Sequence, residues 1–192
     1  MQREEKKELN RKKIITAAKT LFLTKGIYAT NVRDISKKSG ISYVTMYKYF
    51  SDKNELVNLV CQELIDEAMA NAYSKLNNDT LTFFEKLQQI NFEAEFKQKY
   101  GPKVWVDFCS YTNNNPELTS YIEKKVNDSW LMIIRVGRKD KFIQASASDE
   151  QICNFLSLVL KLDHKEFKEN IDAYWELFWY GLAGKEGHIK NK

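Results

Sequence analysis

The chain has 192 residues, 43 % of them hydrophobic, which is enough to pack one large domain or two small ones. No apolar run approaches the roughly 18–20 residues that a membrane span requires, and two prolines and seven glycines suit long helices better than a many-turned β fold. The net charge of +4 is unevenly spread: residues 1–53 carry 13 Lys+Arg against 5 Asp+Glu, residues 54–192 carry 17 against 21, and a basic head on an acidic body points to a polyanionic partner.

In chain order, Ile14, Ile15, Ala18, Leu21 and Phe22 recur at helical spacing, so residues 9–25 form an amphipathic helix that stops at Gly26. The preceding MQREEKKELNRKK is either a disordered arm or, with its alternating charges, an extension of that helix; the second reading is preferred. Asn31-Val-Arg-Asp34 is an N-cap with an acidic residue three positions on, predicting a helix from Val32 to the turn at Gly40. Ser42 caps a further short helix through about Tyr49. Asp52 caps a long one to residue 76, with Leu56, Val60, Leu64 and Ala68 on one stripe. After a break at 77–80, helices are predicted over 80–98, over 101–112 and 116–136 behind Pro102 and Pro116, over 149–162 behind the Ser148/Gln151 box, and over 164–183 behind Asp163/Glu166. Gly137 and Gly184 serve as stops. The expectation is an all-α chain of about nine helices; KFIQAS at 141–146 is too short and isolated to be a strand.

Two short helices, 32–39 and 43–49, joined by a tight turn and crossed by the helix before them, make a helix-turn-helix, whose second helix enters the DNA major groove. Ile35, Ile41, Met46 and Phe50 are its apolar pins. That leaves hydroxyls and cations facing out. Ser42, Thr45, Tyr43, Tyr47 and Tyr49 can bond phosphates or base edges, and Val44 can meet a thymine methyl. Arg33, Lys37, Lys48 and Lys53 can neutralise phosphates, and the helix start at Asn31 is a phosphate site.

The run IITAAKTLFLTKGIYATNVRDISKKSGISYVTMYKYFSDKNEL, residues 14–56, resembles the N-terminal domain of TetR-type bacterial transcriptional regulators. The I-x-x-A-A-x-x-L-F helix, G-I-Y-A-T-N, V-R-D-I-S-K-K-S-G-I-S, T-x-Y-x-Y-F and S-D-K-N-E-L follow one another in the family's order, over about a quarter of the chain. Asn31 stands where the family usually has threonine and Ser36 where it has alanine. Tyr43 and Val44 replace a common lysine and glycine where bases are read, so the resemblance carries no operator sequence. It implies a DNA-binding domain at 1–53 and a larger all-helical effector-binding and dimerisation domain at 54–192. The function it implies is that of a homodimeric repressor on a palindromic double-stranded operator, released by a small molecule that moves helix 52–76. A protein of the same fold with no small-molecule effector, regulated by a protein partner or serving the nucleoid or cell division, is the alternative.

The body's own residues agree with a dimer. In AYWELFWY, 173–180, only Glu176 is charged, and a helix apolar all round is covered on two sides. Phe155, Val159, Trp175, Phe178, Trp179 and Leu182 are the candidate interface residues, aromatic-rich as interfaces are. An effector pocket is expected among residues 52–136, lined by Phe92, Phe96, Tyr100, Trp105, Phe108, Tyr111 and Trp130, with Phe84 as a further ring. Glu93, Asp107 and Asp128 stand near them in sequence. Rings with a carboxylate suit a lipophilic cation.

Enzymatic chemistry has little support. His164 and His188 are the only histidines and lack companion ligands, no Walker, GxGxxG or GxSxG motif is present, and Glu93 and Glu95 are two apart on a helix and diverge. No metal, cofactor or membrane partner is expected. MQREEKKELNRKK has no apolar signal region, and Cys61, Cys109 and Cys153, odd in number and far apart, fit buried thiols in a reducing cytoplasm.

Overall fold

The computed structural model describes residues 3–159 and 171–183 and shows, among them, helices and no strand. The chain forms two compact units, residues 1–68 with 91–122 and residues 69–90 with 123 onward. The sequence-based division at 53/54 is one of function; it falls at the first turn of a helix inside the first unit.

In the first unit, α1 (Arg3–Lys25) begins six residues before the periodic stretch, so the charged N-terminal segment from Arg3 on is a helix extension. Its inner face buries Ile14, Ala17, Ala18, Leu21 and Phe22. Gly26 ends it at φ +93, and the Gly26 amide donates to the Phe22 carbonyl at 3.0 Å. A Cβ there would overlap Asp107 Oδ2, so both the backbone and the space require glycine. The helices α2 (Val32–Ser39) and α3 (Tyr43–Met46) follow, then α4 (Lys53–Leu76), whose first turn is capped by Asp52 accepting from the Glu55 amide at 2.9 Å. Buried Leu56, Val57, Val60, Cys61 and Leu64 of α4 complete this core.

The predicted helix 80–98 is two helices, α5 (Phe83–Gln88) and α6 (Phe92–Tyr100). Thr82 and Glu85 form a capping box for the one, and Asn91 accepts from the Ala94 amide at 3.0 Å to start the other. Both caps were visible as Thr-x-x-Glu and Asn-x-x-Ala spacings, yet the hydrophobic period alone runs across them. Helix α7 (Pro102–Asn113) starts at the proline, as does α8 (Pro116–Lys139). Within the first unit Asn58 of α4 is a polar hub: its Oδ1 accepts from Tyr111 at 3.1 Å and from Asn115 at 2.9 Å, and its amide donates to Glu117 at 3.1 Å.

In the second unit the core joins Ile134, Ile143, Ile152, Cys153, Leu156 and Leu182, with Leu76, Phe83 and Val136 beside one another in a further cluster. Gly137 was expected to end α8, but the helix passes through it to Lys139. Glycine is needed there for packing, because a Cβ would lie 2.7 Å from Ile143 Cδ1. Beyond it the chain turns, and the 141–146 segment bonds to the last helix: the Gln144 and Ala145 amides donate to the Leu182 carbonyl at 3.0 and 3.1 Å. Helix α9 (Asp149–Val159) starts at the predicted box, with the Ser148 amide donating to Gln151 at 2.8 Å and the Gln151 amide to Ser148 Oγ at 3.2 Å. The Asp163/Glu166 box and Gly184 lie outside the described residues, and the last helix, α10, is described over Ile171–Ala183. No described helix is long and apolar enough to cross a membrane.

Candidate nucleic-acid interface

Two caps aim the α2–α3 pair. Asn31 Oδ1 accepts from the Asp34 amide at 2.9 Å and Asp34 Oδ2 accepts from the Asn31 amide at 3.4 Å, so both halves of the box are made. At the other end Gly40 takes the left-handed conformation, φ +69, and its amide donates to the Ser36 carbonyl at 3.1 Å. Ser36 matters beyond its helix: its hydroxyl donates to the Ile41 carbonyl at 2.7 Å, fixing the turn. Ser42 then caps α3, accepting from the Thr45 amide at 3.2 Å and sharing a 2.7 Å hydrogen bond with the Thr45 hydroxyl. Ile35, Met46 and Phe50 are buried as pins, whereas Ile41 is half-buried.

With the pins inward, the opposite face of α3 stands in solvent. Val44 is 71 % exposed, unusual for valine, and Tyr43 and Tyr47 flank it at 47 % and 43 %. The two tyrosine rings meet edge to face with centroids 4.9 Å apart, and the Tyr47 hydroxyl donates to that of Tyr43 at 3.3 Å. That hydrogen bond pushes the Tyr47 phenol above its ordinary pKa, so it stays a neutral hydroxyl. Asn31, Arg33, Lys37, Ser42 and Lys48 are exposed, and Thr45 is half-buried by its bond to Ser42.

Two candidates are tied differently from the expectation. Lys53 is half-buried, and its ammonium donates to the Ile27 carbonyl at 2.6 Å. Burial pushes its pKa down, against the opposing pull of Asp107. It fastens the start of α4 to the segment between α1 and α2, which leaves Arg33, Lys37 and Lys48 as the exposed cations among the candidates. Tyr49 is also half-buried, its hydroxyl accepting from Asn10 Nδ2 at 3.2 Å. Asn10, together with Arg11 whose guanidinium lies 5.5 Å over the Phe50 ring, braces the end of the recognition segment from α1. Sequence reasoning missed both, since neither stands on the apolar stripe that defines that helix.

The predicted pocket rings divide. Phe92, Phe96, Tyr100, Trp105 and Phe108 pack against one another in the first unit, with centroid distances from 4.9 to 6.2 Å. Tyr111 belongs to the Asn58 hub. These rings fill space with each other, and Tyr100 alone among them borders an open groove, beside Lys19, Leu23 and Lys99. An open cavity of about 550 Å³ lies instead in the second unit, where Met69, Ala72, Tyr73 and Leu76 of α4 face Phe84, Leu87, Gln88 and Ile90 and, on α8, Val126, Ser129, Trp130 and Ile133. Trp130 and Phe84 are the sequence candidates it takes up. The α4 and α8 residues among the others were legible only as a second stripe on each helix, spaced i, i+3, i+4, i+7.

Of the predicted interface residues, Phe155 is 53 % exposed, but Leu182 is 6 % exposed, held in its own unit's core. The side chains of Val159, Trp175, Phe178 and Trp179 lie outside the described residues. Leu158 at 66 %, Leu177 at 70 % and Tyr180 at 44 % give α9 and α10 further exposed apolar surface.

Residues 14–60 match the family model of the bacterial regulatory proteins, tetR family. The HTH-type transcriptional repressor KstR2 of Rhodococcus jostii is similar, 23 % identical over 150 residues that cover 76 % of this chain and 74 % of that one. Among solved structures, one from Mesorhizobium loti described as a tetR-family regulator superposes with a TM-score of 0.58 at 19 % identity, over 93 % of this chain and 97 % of that one. FadR of Bacillus subtilis, solved in complex with stearoyl-CoA, does so at 0.55 and 18 % identity, over 88 % and 97 %. Identities this low show a shared fold. Each of these is described as a transcriptional regulator or repressor.

Proposed function

We propose that the chain is a homodimeric transcriptional repressor whose residues 14–60, which match the tetR family model, are its DNA-binding domain. It reads a palindromic double-stranded operator with α3 and is released by a small molecule seated in the second-unit cavity. The observation that carries the DNA-binding part is the exposed row Tyr43, Val44, Tyr47 and Lys48, presented on a helix pair whose two starts are capped and whose pins are buried. Val44, 71 % exposed, presents a branched methyl surface that suits a thymine methyl. The tyrosine hydroxyls and the α2 start supply neutral phosphate donors, and Arg33, Lys37 and Lys48 supply the charge.

Dimerisation is supported by the exposed Phe155, Leu158, Leu177 and Tyr180 on α9 and α10. One α3 of four helical residues reads only a few base pairs, and a two-fold partner adds a second half-site roughly 34–36 Å away. Effector control is supported by α4, one continuous helix whose first residue follows the recognition segment and whose last two turns line the cavity. A ligand acts only through different affinities for the DNA-competent and incompetent states. FadR of Bacillus subtilis, of the same fold, is solved with a bound stearoyl-CoA.

Selection from random double-stranded DNA followed by footprinting tests the proposal. The expected product is an inverted repeat with half-sites one helical turn, or a multiple of it, apart, bound by two chains. Recovery of no shared sequence, or of single half-sites bound by one chain, would refute it.

A further inference from the structure

The effector's chemical class can be read from the charges that the cavity lacks, and this inference rests on the small-molecule control proposed above. We propose that the ligand is an uncharged, lipophilic molecule, buried by its apolar body and carrying a hydroxyl or carbonyl group near the mouth, and not the lipophilic cation that the ring-rich sequence suggests.

Among the residues lining the cavity there is no Asp, Glu, Lys or Arg. Several charges on the surrounding elements are engaged with other partners. Lys86 of α5 is 2 % exposed and holds Asp140 at 2.7 Å. Glu85 is the cap of its own helix, accepting from the Thr82 amide at 2.7 Å. Lys75 of α4 donates to the Gln89 carbonyl at 2.9 Å, and Arg138 of α8 holds Asp149 at 2.7 Å. Asp128 is exposed and outside the lining, although its neighbours Ser129 and Trp130 are within it. The other two carboxylates of the cation reading belong to the first unit: Glu93 pairs with Lys97, and Asp107 stands beside Gly26.

Tyr73, Phe84 and Trp130 do offer rings to a cation, but a cation stripped of water needs a counter-charge or a full cage, and no lining side chain supplies the charge. The walls are graded. Ala72 and Leu76 form a closed apolar floor, 9 % and 1 % exposed, whereas Phe84 and Val126 are 37 % and 36 % exposed. Gln88, also exposed, sets an amide beside them, and Ser129 is the hydroxyl further in, donating to the Lys125 carbonyl at 2.9 Å. A molecule entering tail first therefore leaves its polar group at Gln88. The volume of about 550 Å³ suits one drug-sized ligand.

Three twelve-carbon probes separate the classes: dodecanol, dodecanoate and dodecyltrimethylammonium, each below its aggregation threshold. Binding to the full-length dimer is read by the shift in melting temperature and by tryptophan fluorescence, and release of operator DNA by anisotropy. Dodecanol should bind, on the order of 100-fold more tightly than either ion, and release the DNA. Gln88→Glu, an exposed and conservative change, should weaken dodecanol and narrow its advantage over the ammonium probe. Tightest binding of the ammonium or of the carboxylate overturns the inference, as does binding of dodecanol that Gln88→Glu and Trp130→Phe both leave untouched. Failure of all three probes to bind a dimer that still holds its operator also overturns it, and leaves the DNA-binding reading standing.

Discussion

Asn31 gives a perturbation in which folding and DNA contact move apart. Its side chain accepts from the Asp34 amide at 2.9 Å and stands exposed at the α2 start. Asn31→Ala removes the cap, a loss of about 1 kcal/mol that lowers the melting temperature by roughly 2–4 °C in a chain of this size. Asn31→Asp keeps the cap, because aspartate accepts the same bond and favours a helix N-terminus, so stability should stay within about 0.5 kcal/mol of the parent. Its new charge would face the operator phosphate. At about 5 Å, with an effective dielectric constant of 20 to 80, the repulsion is roughly 1–3 kcal/mol per half-site. Both half-sites of a dimer feel it, so affinity should fall by at least about 30-fold. Thermal melting and fluorescence anisotropy with operator DNA, run on the same preparations, provide the two readings. An Asn31→Asp protein that melts and binds like the parent would show that the α2 start faces no phosphate.

Further outcomes follow from the same geometry. Tyr47→Phe removes a neutral donor, so operator affinity should drop about 2- to 12-fold per half-site with the salt slope unchanged, whereas Lys48→Ala should reduce the slope by about 0.9 per half-site; equal slopes for both variants would refute their separate roles. Leu177→Asp, at a position 70 % exposed, should leave the chain folded but monomeric by sedimentation, with operator affinity lost; a stable dimer would place the interface elsewhere. Burial pushes the Cys61 thiol up to about 12, so it should resist iodoacetamide at pH 8 in the native protein and react once the chain unfolds. The folded-state pKa being the higher one, this burial contributes fully below pH 9. The contribution is lost at about 1.4 kcal/mol per pH unit between 9 and 12, and a melting temperature that falls less steeply across that window in Cys61→Ala than in the parent is the check.

The helix-turn-helix was legible because its information is local. Caps at Asn31, Ser42 and Asp52, the turn at Gly40 and the pins Ile35, Met46 and Phe50 all act within a few residues, and each formed as the spacing implied. Lys53 was not legible, since its partner, the Ile27 carbonyl, is 26 residues away. The same limit explains the pocket. Aromatic content marks where large side chains go, but whether they line a void or fill it depends on partners across the unit, and Phe92, Phe96, Trp105 and Phe108 found one another. Gly137 misled for a related reason: glycine reads as a helix stop, yet here Ile143 occupies the space that a Cβ would take. Leu182 shared a helix with exposed Leu177 and Tyr180 and differed from them only by facing Ile134 and Leu156.

The account stands or falls on DNA binding through α3. Its most direct test is affinity for the DNA upstream of the protein's own coding region, measured at 50 and 200 mM salt for the parent and for Tyr47→Ala. Tight binding that discriminates against unrelated DNA, weakens steeply with salt and is reduced by Tyr47→Ala is the predicted result. Binding to an operator that Tyr47→Ala leaves intact at both salts would contradict it, because the exposed tyrosine face would then have no part in reading DNA.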